Sequence, residues 1–218
     1  NGAGIHIDSN TGNVSFSDSV NIDTNLTGGT SIVGIFNNTG DVFFNSLDIE
    51  GFISPDVDFV DDNEPTAAEL AAMFASLDMR FNTGTLTFND IIIEGGNTQN
   101  NIVGSTGTFG YNNNEIEIND GDIDVNFATA VGIFTADSAV GAGLTYNLTD
   151  LNLELRNVES TFAPDHGVHL ANVKGQATFN GGDITGAGSN FGSGFPGPNF
   201  EAGIYVDNSL VRILETQN

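Results

Sequence analysis

Cysteine is absent from the 218-residue chain, which excludes disulfide staples, thiolate nucleophiles and cysteine-ligated zinc. That absence alone fixes no compartment. Cations are almost as scarce: four Lys plus Arg stand against 29 Asp plus Glu, a formal charge of -25. Such a surface repels nucleic-acid phosphates, anionic membranes and polyanionic glycans unless other cations intervene. No apolar run approaches the roughly 20 residues of a membrane span, and no basic start followed by an apolar stretch marks a signal peptide. The first residue is Asn rather than Met, so the chain reads as a processed or excised piece. High acidity with little Lys suits a secreted or surface protein in salty or calcium-containing surroundings.

Helix formers are thin while Gly, Asn, Thr, Ser, Val, Ile and Phe abound, the composition of an all-β chain with many short strands and turns. One domain over residues 1–218 is the ordinary expectation at this length. Its organising unit is clearest between Asn37 and Gly51, where turn residues precede the alternating pairs Val42/Phe44 and Leu47/Ile49. Asn10 to Asp23 and Asn82 to Glu94 repeat it with the apolar positions aligned. A pattern returning at long period signals a repeat architecture.

In chain order, the first unit opens at Ile5 and Ile7 and continues through Val14, Phe16, Val20 and Ile22, which predicts three short strands. The second unit opens at Ile32–Phe36. An insertion over 52–78 follows, with an acidic loop (Asp56, Asp58, Asp61, Asp62) and a predicted short helix. Thr66 and Glu69 form a capping box, and Leu70, Met73, Phe74 and Leu77 a helical stripe. The third unit carries Met79, Phe81, Leu86, Phe88, Ile91 and Ile93; the fourth carries Phe109, Tyr111, Ile116, Ile118, Ile123 and Val125. A fifth is read as opening at Leu144 and Tyr146, and a sixth at Val168 and Leu170. The last, incomplete unit holds Ile204–Val206 and Val211–Leu214. Second-strand residues Phe16, Phe44, Phe88, Ile118, Leu153 and Phe179 then recur roughly once per coil of a parallel β-helix. Asn and Gly at the corners tolerate tight turns, and stacked Asn side chains can hydrogen-bond along the axis.

On this motif (Asn-Thr-Gly, apolar-x-Phe, a polar break, apolar) nearly the whole chain resembles bacterial extracellular right-handed parallel β-helix repeat proteins, the adhesin and tailspike kind. The resemblance implies a solenoid of six to seven coils with one inserted helix. A rival fold is an antiparallel β-barrel or sandwich, because Phe81-Asn82-Thr83-Gly84-Thr85-Leu86 also fits a hairpin. In that case 121–134 and Val140–Tyr146 resemble the closing strands of transferrin-binding-protein-like surface barrels, which capture ligands.

Candidate chemistry is sparse. Asp165-His166-Gly167-Val168-His169 is the one His cluster; Val168 and Leu170 are expected to face inward and His169 outward. Asp120, Asp122 and Asp124 alternate and project on one side, as a carbohydrate-cleaving groove needs, but in so acidic a chain a solvated edge is the favoured reading of such a row. Polyuronate lyases need a cation near the substrate carboxylate, and only Arg80, Arg156, Lys174 and Arg212 exist. The acidic loop at Asp56, Asp58, Asp61 and Asp62 supplies hard oxygen ligands suited to Ca2+, at a spacing that is not an EF-hand. No other cofactor is indicated. The expectation is a non-catalytic extracellular structural or adhesive module, with a carbohydrate-binding or -cleaving protein as second reading. Coils begin by Gly4 and persist to Leu214 with no terminal cap, so the piece is either cut from a longer array or pairs its ends with copies of itself. Self-association into a filament is the favoured expectation, with neutral glycans as further partners and neither nucleic acid nor membrane insertion.

Overall fold

A computed structural model of the chain describes residues 4–26, 31–53, 75–97, 105–126, 128–135, 148–163, 166–186, 203–207 and 209–215. Every regular element among them is a β-strand, and every strand pairing is parallel. One sheet joins β1 (Ile5–Asp8), β3 (Val33–Phe36), β5 (Ala75–Arg80), β8 (Ser105–Tyr111), β10 (Ala128–Phe134), β12 (Val168–Ala171) and β15 (Ile204–Asp207) in that order. The other runs through β2 (Val14–Leu26), β4 (Val42–Ile53), β6 (Thr85–Phe88), β9 (Glu115–Asn126), β11 (Thr149–Thr161), β13 (Val173–Phe179) and β16 (Leu210–Glu215). Beside it β7 (Ile91–Asn97) pairs with β4 and β9, and β14 (Ile184–Thr185) with β11. The chain thus alternates between two sheets, and each repeat unit adds a rung to both.

Period-2 alternation drives this arrangement, since it gives each strand of the second sheet one apolar face. Residues from both sheets share one buried core cluster. In-register columns run through it: Phe16, Phe44, Phe88, Ile118, Leu153, Ala177 and Ile213 are successive neighbours across seven strands. The rings of Phe16, Phe44 and Phe88 stack, with centroids 4.4 and 5.4 Å apart. The sixth rung of this column is Ala177; Phe179, expected there, pairs with Leu155 instead.

At one corner Asn38, Asn82 and Asn113 form a buried ladder, each side-chain oxygen accepting from the backbone N–H of the preceding member or of Asn10. Their Nδ2 groups donate to the carbonyls of Ile7, Ile35 and Met79. Left-handed φ values fall on the residue just before each ladder member, at Asn37, Phe81 and Asn112, and before Asn10, at Ser9. The glycines of the second and third Asn-Thr-Gly corners serve close approach instead: a Cβ on Gly40 would collide with the Gly12 carbonyl oxygen, and one on Gly84 with the Gly40 carbonyl oxygen.

Several sequence expectations are corrected. The second and third short strands of a unit fuse into one long strand in β2, β4, β9 and β11, with a register shift beside Phe16. The fifth unit opens at β10, not at Leu144, which lies outside the described residues. Leu77, the last position of the expected helical stripe, belongs to β5 and pairs with Val33 and Thr108. Its period-2 partnership with buried Met79 prevails over helical spacing. Thr66, Glu69, Leu70, Met73 and Phe74 lie outside the described residues, and no helix occurs among those described. The antiparallel barrel or sandwich is overturned by the uniformly parallel pairing. Phe81–Thr85 passes from one sheet to the other rather than closing a hairpin, and Phe81 is 45% exposed rather than inward.

Candidate functional site

The two sheets differ in what lies on their outer faces. In the first, β10 and β12 are buried at every residue. His169 is therefore inside rather than facing solvent, in edge-to-face contact with Phe134 and Tyr205. His166 is also buried and stacks on Tyr205 at 4.5 Å. Burial, with a smaller contribution from neighbouring His166, pushes the His169 pKa down to about 3, so the imidazole is neutral and apolar in use. Nearby on this sheet Asp78 is buried, accepting from Arg80 at 2.7 Å and from Ser31 at 2.8 Å. Desolvation nonetheless raises its pKa. The Arg80 guanidinium lies 5.3 Å from the centre of the Phe109 ring and 5.9 Å from that of Phe36. The Asp78–Arg80 pair is a structural one, with both side chains largely buried.

The outer face of the second sheet is different. Asp23, Glu50, Glu94, Asp124 and Glu159 are successive in-register neighbours on β2, β4, β7, β9 and β11, and four of the five are exposed. Adjacent strands are about 4.8 Å apart, so this is a continuous row of five carboxylates. Like charges directly opposite one another destabilise a sheet by roughly 0.2 to 1 kcal/mol per pair. The Asp124 pKa is raised by partial desolvation first, and then by Glu159 and Asp122. Beside the row, Asp122 neighbours Asn157, whose amide donates to it at 3.1 Å.

Of the sequence candidates, Asp120, Asp122 and Asp124 do project on this outer face. Asp120 and Asp122 are not open carboxylates, however. Arg156 bridges Asp90 at 2.9 Å, Asp120 at 2.8 Å and Asp122 at 3.4 Å, and the hydrogen bonds to Asp90 and Asp120 raise its pKa. A general acid–base pair cannot be built from Asp120 and Asp122 while that guanidinium holds them. Lys174 likewise pairs with Asp150 at 3.2 Å. Asp56, Asp58, Asp61 and Asp62 lie outside the described residues. Among the described residues no three His, Asp or Glu side chains converge as metal ligands, and no helix is long and apolar enough to cross a membrane.

The acidic row was missed in the sequence although its signal is plain afterwards: Ile22-Asp23, Ile49-Glu50, Ile93-Glu94, Ile123-Asp124 and Val158-Glu159 each set an acid directly after a core aliphatic. Aligning apolar positions alone passes over the residue that follows them. Comparison with family models, curated proteins and solved structures finds no match.

Proposed function

We propose that the chain is a right-handed parallel β-helix acting as an extracellular structural or adhesive repeat module that meets copies of itself. The in-register column from Phe16 to Ile213 carries this reading. Alternation between two parallel sheets, one rung per unit, is what a solenoid's winding produces, and stacking identical units builds a long, stiff face. Such a face suits repeated weak contacts better than one-site chemistry. Small-angle scattering tests the reading: a curve fitted by one stack of seven rungs, about 30 Å along its axis, supports it, and a curve that such a stack cannot fit overturns it.

A carbohydrate-binding or -cleaving protein is the second reading, favoured only by the raised pKa of Asp124 beside Glu159 and Asp122. Neutral glycans are its ligands, because the charge of -25 repels acidic ones. A screen of neutral and acidic polysaccharides for released reducing ends decides between the two; cleavage abolished by Asp124→Asn would establish the enzyme. The loop at Asp56, Asp58, Asp61 and Asp62 is proposed to take Ca2+ on its carboxylates. Millimolar Ca2+ should then raise the melting temperature by binding the native state. Melting curves that superimpose in calcium and in chelator would leave the loop merely solvated.

A further inference from the structure

Both ends of the strand stack are open among the described residues. β1 and β2 each pair on one side only, with β3 and β4, and β15 and β16 pair only with β12 and β13. Backbone groups along those outer edges form a template for another strand. Inward-row side chains at the ends are correspondingly uncovered. At the C-terminal end Ile204 and Ile213 are each 40% exposed, and a cavity of about 400 Å3 opens between them, lined also by Val158, Phe179 and Ile184. At the other end Ile5, Val14, Phe16, Val20 and Ile22 are only partly buried against the core.

The two ends match. β1 reads Ile-His-Ile-Asp and β15 reads Ile-Tyr-Val-Asp, four residues each with the same alternation. They are also the first and last members of one column, Ile5, Val33, Leu77, Thr108, Val131, Val168 and Ile204. In the second sheet Phe16 and Ile213 end their column in the same way. The contact between successive units inside the chain can therefore continue unchanged across a junction between two molecules.

We propose that the β15/β16 end of one molecule docks, parallel and in register, onto the β1/β2 end of a second copy. This rests on the solenoid reading and names its partner and contact. Ile204 then neighbours the second copy's Ile5, Ile213 its Phe16, and Tyr205 its His6, extending the ring contact that Tyr205 makes with His169. Because the contact joins two different surfaces, it propagates rather than closing at a dimer. Asp207 meets Asp8 of the second copy in this register, so like charges oppose the junction at low ionic strength and salt or Ca2+ strengthens it.

The absence of cysteine gives a direct test. Asp8 and Asp207 are surface residues at opposite ends of the stack, and in-register neighbours lie within disulfide reach only across a junction. Under mild oxidation, the Asp8→Cys/Asp207→Cys double variant is expected to give a ladder of linked dimers, trimers and longer species on a denaturing gel. Each single variant should give no ladder. Wild-type sedimentation should likewise shift to larger species as salt or Ca2+ rises. A double variant that stays unlinked while scattering still fits one seven-rung stack overturns the docking and leaves the solenoid standing. Dimers from Asp207→Cys alone, with no ladder from the double variant, would mean tail-to-tail pairing and also overturn it. A scattering curve that no seven-rung stack fits would remove both proposals.

Discussion

Replacing Asn82 with Ala tests what holds the corner together. Its side chain takes part in four buried hydrogen bonds. The oxygen accepts from the Asn38 backbone N–H and from Asn38 Nδ2, both at 3.0 Å. Its Nδ2 donates to the Ile35 carbonyl at 2.9 Å and to Asn113 Oδ1 at 2.8 Å. Truncation leaves Asn38 Nδ2 its bond to Ile7 and Asn113 Oδ1 its bond from the Asn82 N–H, but the Asn38 N–H loses its partner in a site only 1% exposed at Asn82. An orphaned buried donor costs about 1 to 3 kcal/mol, and each further lost bond about 1 kcal/mol net. Asn82→Ala should therefore cost about 4 to 6 kcal/mol. Asn45→Ala is the contrast, because its oxygen accepts a long 3.4 Å bond from Asn89 on the exposed surface and its loss should cost under about 0.5 kcal/mol. Urea unfolding followed by circular dichroism measures both; a shifted midpoint with unchanged slope marks a change in stability alone. A loss below about 1 kcal/mol for Asn82→Ala would mean that the ladder follows from the apolar stacking rather than securing it.

Thr108 stands in the inward column between Leu77 and Val131 with its hydroxyl buried and no hydrogen-bond partner among the described residues, so Thr108→Val should raise stability by about 1 to 2 kcal/mol in the same unfolding assay. His169 has a folded pKa of about 3 against 6.5 ordinarily, so it binds fewer protons folded than unfolded. Its contribution is complete above pH 6.5 and is lost progressively as pH falls toward 3; melting temperatures over that range should fall less steeply in His169→Gln than in wild type. Glu94 has a carboxylate on each side in the row, Glu50 and Asp124, and Glu94→Gln should raise the melting temperature by roughly 1 to 4 °C at low salt. That gain should shrink at 1 M salt if it comes from repulsion.

The repeat was legible where the chain shows one face to water and one to the core. Val42, Phe44, Leu47 and Ile49 are buried while Phe43, Asn45, Ser46 and Asp48 between them reach the surface, because β4 packs on one side only, and the aligned apolar positions at Val14–Ile22 and Leu86–Ile93 follow the same pattern. Stacked corner asparagines could be foreseen too, since Asn both tolerates a turn and carries a donor and an acceptor along the stack. Legibility failed in the first sheet, which is buried on both faces. Ala128–Phe134 reads Ala-Thr-Ala-Val-Gly-Ile-Phe with no polar alternation, the run expected of a doubly covered parallel strand, so a period-2 reading passes over the start of the fifth unit. The same alternation rule points His169 to solvent, where double coverage buries it. The Arg156 bridge escaped because Asp90, Asp120 and Asp122 meet it only through strand register, which no local spacing reveals.

The acidic row has a structural consequence independent of any ligand. Each of its carboxylates follows directly on a member of the core column Ile22, Ile49, Ile93, Ile123 and Val158. Turning any one strand over by a single residue would bring its carboxylate inward and its aliphatic outward. Burying one unpaired carboxylate costs several kcal/mol, more than the roughly 0.2 to 1 kcal/mol that each outward like-charge pair costs when correctly placed. The row is thus tolerable in one register and prohibitive in the adjacent one. A slip of two residues keeps every face correct, so charge cannot oppose it. Asn38, Asn82 and Asn113 can, because their mutual bonds and their bonds to Ile7, Ile35 and Met79 form only when the corners align. Charge excludes the odd slips and the asparagine ladder the even ones, which lets a chain of near-identical units settle on a single alignment.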